Sequence, residues 1–286
     1  VDAKRLTMLK TEQGLLSGEV SLLPIQEWFF GSNLAKPDYW NQSFVVKTPA
    51  LDVAKLSASI EMLAVQHDCL RMRYKSVQGS TANDKNYIQY YATDAESIEL
   101  QILDISTLKV KEGSKAFDTK LQSILTSWQS GFSLEDGPLY SIGYIYGYAD
   151  GSARIVFALH HLIVDAVSWR ILTEDLSNIY QGKALGLKGS SYRQWVAAVQ
   201  EYGRNNTNEQ DYWDNILNDY DNDNSLIKLV NSEVPAIYTG FELNQEQTRL
   251  LLQEGNRAYN TEINDLLLTA LGYALAGITN NNINYI

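Results

Sequence analysis

Apolar residues recur along this chain at two spacings, one typical of helices and the other typical of strands. Between residues 51 and 66, apolar residues from Val53 to Ala64 lie three or four positions apart, which predicts an amphipathic helix. Comparable patterns predict further helices on both sides of it. These helices cover residues 24–35, 115–130, 167–181, 191–204, 208–218, 245–256 and 262–276.

Segments rich in aromatic and β-branched residues lie between these helices and predict strands. Residues 153–161 (ARIVFALHH) form the most strand-like segment, and Asp150-Gly151 precedes it as a turn. The other predicted strands cover residues 40–47, 70–75, 87–91, 98–103, 139–148 and 236–243, and residues 283–286 resemble the beginning of one more. Helices and strands therefore interleave, which predicts an α/β fold of the α+β type.

The domain organisation follows from length and from one glycine-rich segment. A chain of 286 residues can form one large domain or two smaller lobes. Residues 181–190 hold three glycines and show no periodicity, so we expect a linker at 183–190. The expected first lobe is then 1–182 and the second is 191–286. Because the chain ends in strand-like residues, we expect the second lobe to be incomplete.

Composition and charge exclude several classes of function. Hydrophobic residues make up 45% of the chain and charged residues 20%, as in ordinary globular proteins, and the longest apolar run is too short to cross a bilayer. A net charge of −11 does not favour binding to nucleic acid or to an anionic membrane. The single cysteine, Cys69, excludes an internal disulfide and fits a reducing compartment. We therefore expect a cytoplasmic, monomeric protein without membrane or nucleic-acid partners.

Two neighbouring histidines are the strongest candidates for chemistry. The chain has only three histidines, and His160 and His161 stand together at the end of the most strand-like segment, followed by Asp165 and a helix. Side chains alternate between the two faces of a strand, so these two imidazoles must point in opposite directions. We expect one of them to be structural and the other to face a cavity.

Each residue of this segment also has a purely structural interpretation. Asp165 is well placed to cap the following helix, Ser168 then lies in its first turn, and a histidine at a strand end is often only hydrogen-bonded. Other chemistries fit less well. The chain lacks the G-x-S-x-G turn of a serine hydrolase, and the glycines at 182, 186 and 189 lack the Lys-Ser/Thr that completes a phosphate-binding loop. Adjacent histidines on a strand point apart and do not form a zinc site.

The segment HHLIVDAVSW, residues 160–169, resembles the HHxxxDG motif of condensation-type domains in non-ribosomal peptide synthetases. The continuation Ser168-Trp169-Arg170 resembles epimerisation domains rather than domains that form peptide bonds. Further segments that match this family in order are LLPIQEWFF (22–30), YWNQS (39–43), QHDCLRMRY (66–74), GPLY (137–140), SYRQWVAAVQEY (191–202), YWDNIL (212–217) and INDLLLTALGYAL (263–275).

The resemblance implies a two-lobed fold like that of chloramphenicol acetyltransferase, with this chain holding the N-terminal lobe and the beginning of the C-terminal lobe. It implies epimerisation of an aminoacyl or peptidyl thioester. The substrate would arrive on the phosphopantetheine arm of an upstream carrier domain in the same polypeptide, beside other synthetase domains, with no metal or nucleotide. Condensation of two carrier-bound substrates and a non-catalytic scaffold remain the alternatives.

The resemblance also implies roles for individual residues. His161 would act at the α-carbon, His160 would be buried and hydrogen-bonded, and Asp165 would orient the turn with an arginine partner, for which we name Arg71. The chain departs from the family at two places. Ala166 replaces the motif's glycine, and the family's second-lobe carboxylate motif would follow Ile286. We therefore expect the fragment by itself to be weakly active or inactive.

Overall fold

The computed structural model describes residues 10–78, 85–93, 99–222, 239–258 and 260–284. Its contacts divide the chain into two compact units, one up to Tyr202 and one from Gly203 onward. In the part of the chain that is described, no helix is both long and apolar enough to cross a membrane.

The first unit contains two β-sheets. A three-stranded antiparallel sheet has the order β1-β4-β3, and a four-stranded sheet has the order β2-β7-β6-β5, in which only β5 and β6 run parallel. The strands are β1 (Gly18–Val20), β2 (Asn41–Pro49), β3 (Met72–Gln78), β4 (Lys85–Tyr91), β5 (Gln101–Asp104), β6 (Tyr140–Tyr146) and β7 (Ser152–His160).

Five helices pack around these sheets, and most of them begin at a residue suited to the position. The Asp52 side chain accepts from the backbone N–H of Lys55 at 2.7 Å, and a proline opens the first helix, where its missing N–H is not needed. The helices are α1 (Pro24–Gly31), α2 (Val53–Gln66), α3 (Lys115–Trp128), α4 (Ala166–Tyr180) and α5 (Tyr192–Asn205).

Strand β7 lies at the centre of the hydrophobic core and contributes to both of its sides. Phe157 and its odd-numbered neighbours pack with α2 and α4, whereas Ala158 packs with α1 and the three-stranded sheet. Phe44 of β2 lies directly opposite Phe157, and their rings stack with centroids 4.6 Å apart. The Trp169 ring of α4 stacks on Phe44 in turn, at 5.0 Å. These contacts fix the start of α4 beside the end of β7.

The second unit is helical, and none of its described residues is fully buried. It contains α6 (Gln210–Asn222), α7 (Gln245–Arg249), a π-helical turn (Leu250–Glu254), a 3₁₀ turn (Gly255–Ala258) and α8 (Ile263–Thr279). The sequence predicted one helix over 245–256, and the structure replaces it with these three short elements. A Cβ at Gly255 would lie 2.8 Å from Leu266, so close packing against α8 shapes this segment.

The predicted α/β class is confirmed, and every helix and strand predicted in the first unit is present within a few residues of its expected bounds. Two strand predictions differ from the structure or lie outside its described part. Residues 239–243 and 283–284 form no strand, while 236–238 and 285–286 lie outside the described residues.

The segment predicted as a linker lies against the first unit. Its Lys188 ammonium donates to Asp68 at 2.7 Å and to the carbonyl oxygens of Gly14 and Val65, and Gln13 exchanges two hydrogen bonds with the Lys188 backbone. These long-range contacts explain why the compact units divide at Tyr202 rather than within 183–190. The assignment of these segments to two lobes stays a prediction.

Candidate active site

The two adjacent histidines lie where β7 ends and the chain turns toward α4. His160 is the last residue of the strand, and the backbone N–H of His161 still donates to the carbonyl oxygen of Trp40, at 2.8 Å. The N–H of Ile163 then donates to the His160 carbonyl at 3.0 Å and closes the turn. The strand geometry therefore sends the two imidazoles to opposite sides.

His160 is fully buried. Its Nε2 lies 2.8 Å from the Pro37 carbonyl oxygen and donates to it, and its Nδ1 accepts from the backbone N–H of Leu162. The Phe29 ring meets the imidazole edge-on at 5.7 Å. Burial lowers the pKa of His160, so the ring is neutral; Nδ1 supports the turn and Nε2 ties it to Pro37.

His161 has an exposed ring whose hydrogen bonds identify its tautomer. Nδ1 lies 3.1 Å from the carbonyl oxygen of Val164, which can only accept, so Nδ1 carries the proton. Nε2 of the neutral ring then holds a lone pair, and the Gln42 side-chain nitrogen lies 2.9 Å from it. In its neutral form the ring therefore carries its lone pair on Nε2, which is what a general base requires.

A cavity of about 490 Å³ lies beside this ring. Its wall is mostly apolar, and Ile25 and the two tryptophans that contribute to it are exposed, so the cavity opens to solvent. The lining residues are Ile25, Gln26, Trp28, Phe29, Trp40, Cys69, Met72, His161, Leu162, Ile163, Val164, Asp165, Ser168 and Tyr192.

Asp165 and Ser168 line the same cavity but engage each other. Asp165 is the N-cap of α4: its Oδ1 accepts from the Ser168 N–H at 2.8 Å and from the Ser168 hydroxyl at 2.6 Å. These two hydrogen bonds lower the pKa of Asp165. The capping role that the sequence offered as the structural interpretation is thus present in the fold.

Ala166, which replaces the motif glycine, is the exposed first residue of α4. The φ angle of Ala166 is not positive, so the position does not require glycine. Trp169, three residues on, packs against Phe44, and its ring nitrogen is buried without a partner among the described residues. Trp169 thereby fixes α4 on β2.

The expectation that Arg71 pairs with Asp165 is wrong. Arg71 is buried and forms an ion pair with Asp68, and its guanidinium also donates to the carbonyl oxygens of Leu16 and Ala92. It fastens the N-terminal segment to β3 and β4. The QHDCLRMRY segment therefore supplies a structural ion pair instead of a partner for residues 160–165, which we call the histidine turn.

Two polar side chains that the sequence analysis did not single out hold the site together. Tyr74 of β3 donates to the Leu162 carbonyl at 3.0 Å and accepts from Gln26 at 3.3 Å, which supports the histidine turn from beneath. Gln42 contacts His161 from β2. The sequence did contain a hint of this position of Gln42. Gln42 lies two residues before Phe44 in a predicted strand, so both side chains lie on the same face of that strand.

Comparison with known proteins places the chain in a family. The family model of the condensation domain matches residues 16–285. The N-(5-amino-5-carboxypentanoyl)-L-cysteinyl-D-valine synthase of Penicillium rubens is 39% identical over 97% of the chain, and gramicidin S synthase 1 of Brevibacillus brevis is 34% identical over 96%. The chain spans 7% and 24% of the length of these two relatives.

A solved structure agrees in fold. The epimerization domain from the third module of tyrocidine synthetase B superimposes with a TM-score of 0.72 at 30% identity, over 95% of this chain and 60% of that one. The chain thus shares its overall fold with that domain. The chain belongs to the condensation-domain family of the non-ribosomal peptide synthetases.

Proposed function

We propose that the domain containing this chain epimerises an aminoacyl or peptidyl thioester at its α-carbon, with His161 as the base. The observation that carries the proposal is the His161 ring, which borders an open cavity and whose contact with the Val164 carbonyl places the lone pair of the neutral ring on Nε2. Of the comparisons, the likeness to an epimerization domain at 30% identity supports this chemistry most directly.

The other titratable residues in the cavity wall are poorly suited to accept a proton at neutral pH. Burial raises the pKa of the Cys69 thiol to about 11 and that of Tyr192 to about 12, so both stay protonated. Asp165 has a lowered pKa and is engaged by Ser168, which makes it a weak base. Imidazole has an unperturbed pKa suited to acid–base catalysis near neutrality. His161 is therefore the best base that the described wall offers.

The reaction needs one proton removed and one returned to the opposite face of the α-carbon. The C–H bond breaks, its electron pair moves into an enolate on the thioester oxygen, and the proton bonds to Nε2 of His161. A positioned base of this kind contributes about 10² to 10⁴ in rate. A second acid must protonate the far face, and the family resemblance points to a glutamate in the carboxylate motif that would follow Ile286.

The substrate would enter on a phosphopantetheine arm, bound to a carrier domain of the same synthetase. The relatives are long synthetases of which this chain matches only a part, which supports neighbouring domains as partners. A mostly apolar cavity suits the thin, flexible arm. No metal or nucleotide enters this scheme.

Condensation is the second candidate, because the family model that matches the chain is that of the condensation domain. There the same histidine would assist the amine of one carrier-bound substrate as it attacks the thioester of another. A scaffold without catalysis is a third candidate. Epimerisation, condensation and a scaffold role predict different products from an aminoacyl-loaded carrier domain.

The test uses the intact synthetase that carries this sequence, given an L-aminoacyl carrier in D₂O. We expect deuterium at the α-carbon and a mixture of D and L residues after hydrolysis. A second loaded carrier is added in a parallel reaction. Dipeptide without α-deuteration would establish condensation instead, and neither product would establish a scaffold.

A further inference from the structure

Gln42 reaches His161 from a neighbouring strand. It is the second residue of β2, the edge strand paired with β7, and its side chain lies on the same face as Phe44. Phe44 stacks on both Phe157 and Trp169, so this part of β2 is held firmly. The Gln42 side-chain nitrogen lies 2.9 Å from Nε2 of His161, across 119 residues of sequence.

The direction of this hydrogen bond follows from the other side of the ring. Nδ1 of His161 must donate to the Val164 carbonyl, so Nε2 of the neutral ring can only accept. The Gln42 amide must therefore turn its N–H groups toward the ring. Its own oxygen then points elsewhere, and Oε1 is buried without a hydrogen-bond partner among the described residues.

Because Oε1 has no partner among the described residues, no hydrogen bond on that side holds the amide in its present orientation. Protonation of His161 would favour the opposite orientation. Once Nε2 carries a proton, the ring and the amide would present two donors to each other. A half-turn of the Gln42 amide replaces its N–H groups with Oε1, which then accepts from Nε2–H.

We propose that Gln42 is a positioning residue for His161: its amide donates to the neutral imidazole and, after a half-turn, accepts from the protonated imidazole. The role rests on the proposed function of His161 as a base. The imidazole lone pair can accept only one hydrogen, so the Gln42 contact opens as the substrate's α-proton approaches. The turned amide then holds the protonated ring in place until the proton leaves.

None of the ionisable side chains that the described structure places around His161 is bonded to its ring nitrogens. His160 adjoins it in the chain but donates to Pro37 on the opposite side, and Asp165 at the start of α4 is engaged by Ser168. Cys69 and Tyr192 border the cavity without a hydrogen bond to the ring in the described structure. Gln42 and the Val164 carbonyl are the two groups that the described structure places on its nitrogens.

Nitrogen-15 NMR of the 286-residue chain, with its histidine ring nitrogens labelled, tests the hydrogen-bond scheme directly. The chain has only three histidines, and His161→Ala and His67→Ala identify the signals. We expect wild-type His161 to show a protonated Nδ1 and a proton-free Nε2 at pH 7. Gln42→Glu, which can only accept, should shift the Nε2 signal to that of a protonated nitrogen. Ser43→Ala, on the exposed face of β2, is the control and should change nothing.

Exchange kinetics in the intact synthetase separate positioning from packing. Gln42→Met keeps the side-chain length without either polar group and should slow α-deuterium exchange roughly tenfold at unchanged KM. Gln42→Glu, closest in shape to glutamine, should slow it by roughly 100-fold, because it favours the protonated ring. A packing role predicts the reverse order, with glutamate the milder change.

The two proposals fail in different ways. The role of Gln42 would be overturned if Nε2 of His161 stayed proton-free in Gln42→Glu. It would also be overturned if Gln42→Met and Gln42→Glu exchanged deuterium at the same rate as each other. Either result would leave His161 as the base. Absence of exchange in the wild-type synthetase would overturn the proposed function. The NMR signature of Gln42→Glu would still report on the contact in that case.

Discussion

Asp68 is the residue whose loss should weaken the first unit most clearly. Its carboxylate accepts from the backbone N–H of Leu16 at 3.1 Å, from the Lys188 ammonium at 2.7 Å and from the Arg71 guanidinium. Both cations and the carboxylate are largely buried. The perturbation is Asp68→Asn, which keeps the shape and removes the charge.

The size of the expected loss of stability depends on the hydrogen bonds that Arg71 and Lys188 retain in the variant. Removing one partner of a buried ion pair costs about 3–5 kcal/mol, because a charge stays buried without compensation. Arg71 retains the Leu16 and Ala92 carbonyls, and Lys188 retains those of Gly14 and Val65. These acceptors place the loss near the lower end, at about 3 kcal/mol of unfolding free energy. That is a large part of the stability of an ordinary domain.

Equilibrium urea unfolding measures this loss. The control is Asp150→Asn, which removes an equally direct ion pair, with Lys47, from an exposed position, and it should leave the midpoint unchanged. Double-mutant cycles with Arg71→Met then show which carboxylate is the partner of Arg71. The coupling energy should be large between Asp68 and Arg71 and near zero between Asp165 and Arg71.

Either of two results would refute this reasoning. The first is an Asp68→Asn variant as stable as the Asp150→Asn control, which would show that the buried pair contributes nothing. The second is strong coupling between Arg71 and Asp165, which would restore the partnership that the family resemblance suggested.

Three further outcomes can be measured. Asp165→Ala should lose about 1 kcal/mol of stability at pH 7 in urea unfolding; the folded pKa is lowered, so this loss should shrink as the pH falls through it, and a constant loss would contradict the cap. Cys69, with a pKa of about 11 instead of 9.0, should react with a thiol reagent at pH 8 about 100-fold more slowly than in urea. Gly137→Ala should destabilise far more than Gly151→Ala, because both glycines have a positive φ but only the first would press a Cβ against Arg73, at 1.9 Å; equal losses would contradict that contact.

The elements of the first unit could be predicted because their patterns are local. Apolar spacing between 51 and 66 depends only on helix geometry, and α2 forms there. Alternation along a strand predicted that His160 and His161 face opposite ways, and the structure places one in the core and the other at the cavity. The resemblance in the HHLIVDAVSW segment identified the family from sequence.

Contacts between distant segments could not be predicted in the same way. Arg71 donates to the carbonyl oxygens of Leu16 and Ala92, which lie 55 and 21 residues away, and no local pattern shows these acceptors. Lys188 looked like part of a glycine-rich linker, yet it is fastened by groups more than a hundred residues away. The hydrogen bond between Gln42 and His161 depends on the pairing of β2 with β7, which sequence alone did not give.

The most direct test of the central claim compares α-deuterium exchange by the intact synthetase with that of its His161→Ala variant, on the same loaded carrier. If Nε2 of His161 removes the α-proton, exchange should fall by about 10² to 10⁴ while carrier binding and folding stay unchanged. Exchange at the wild-type rate in His161→Ala would contradict the assignment of His161 as the base.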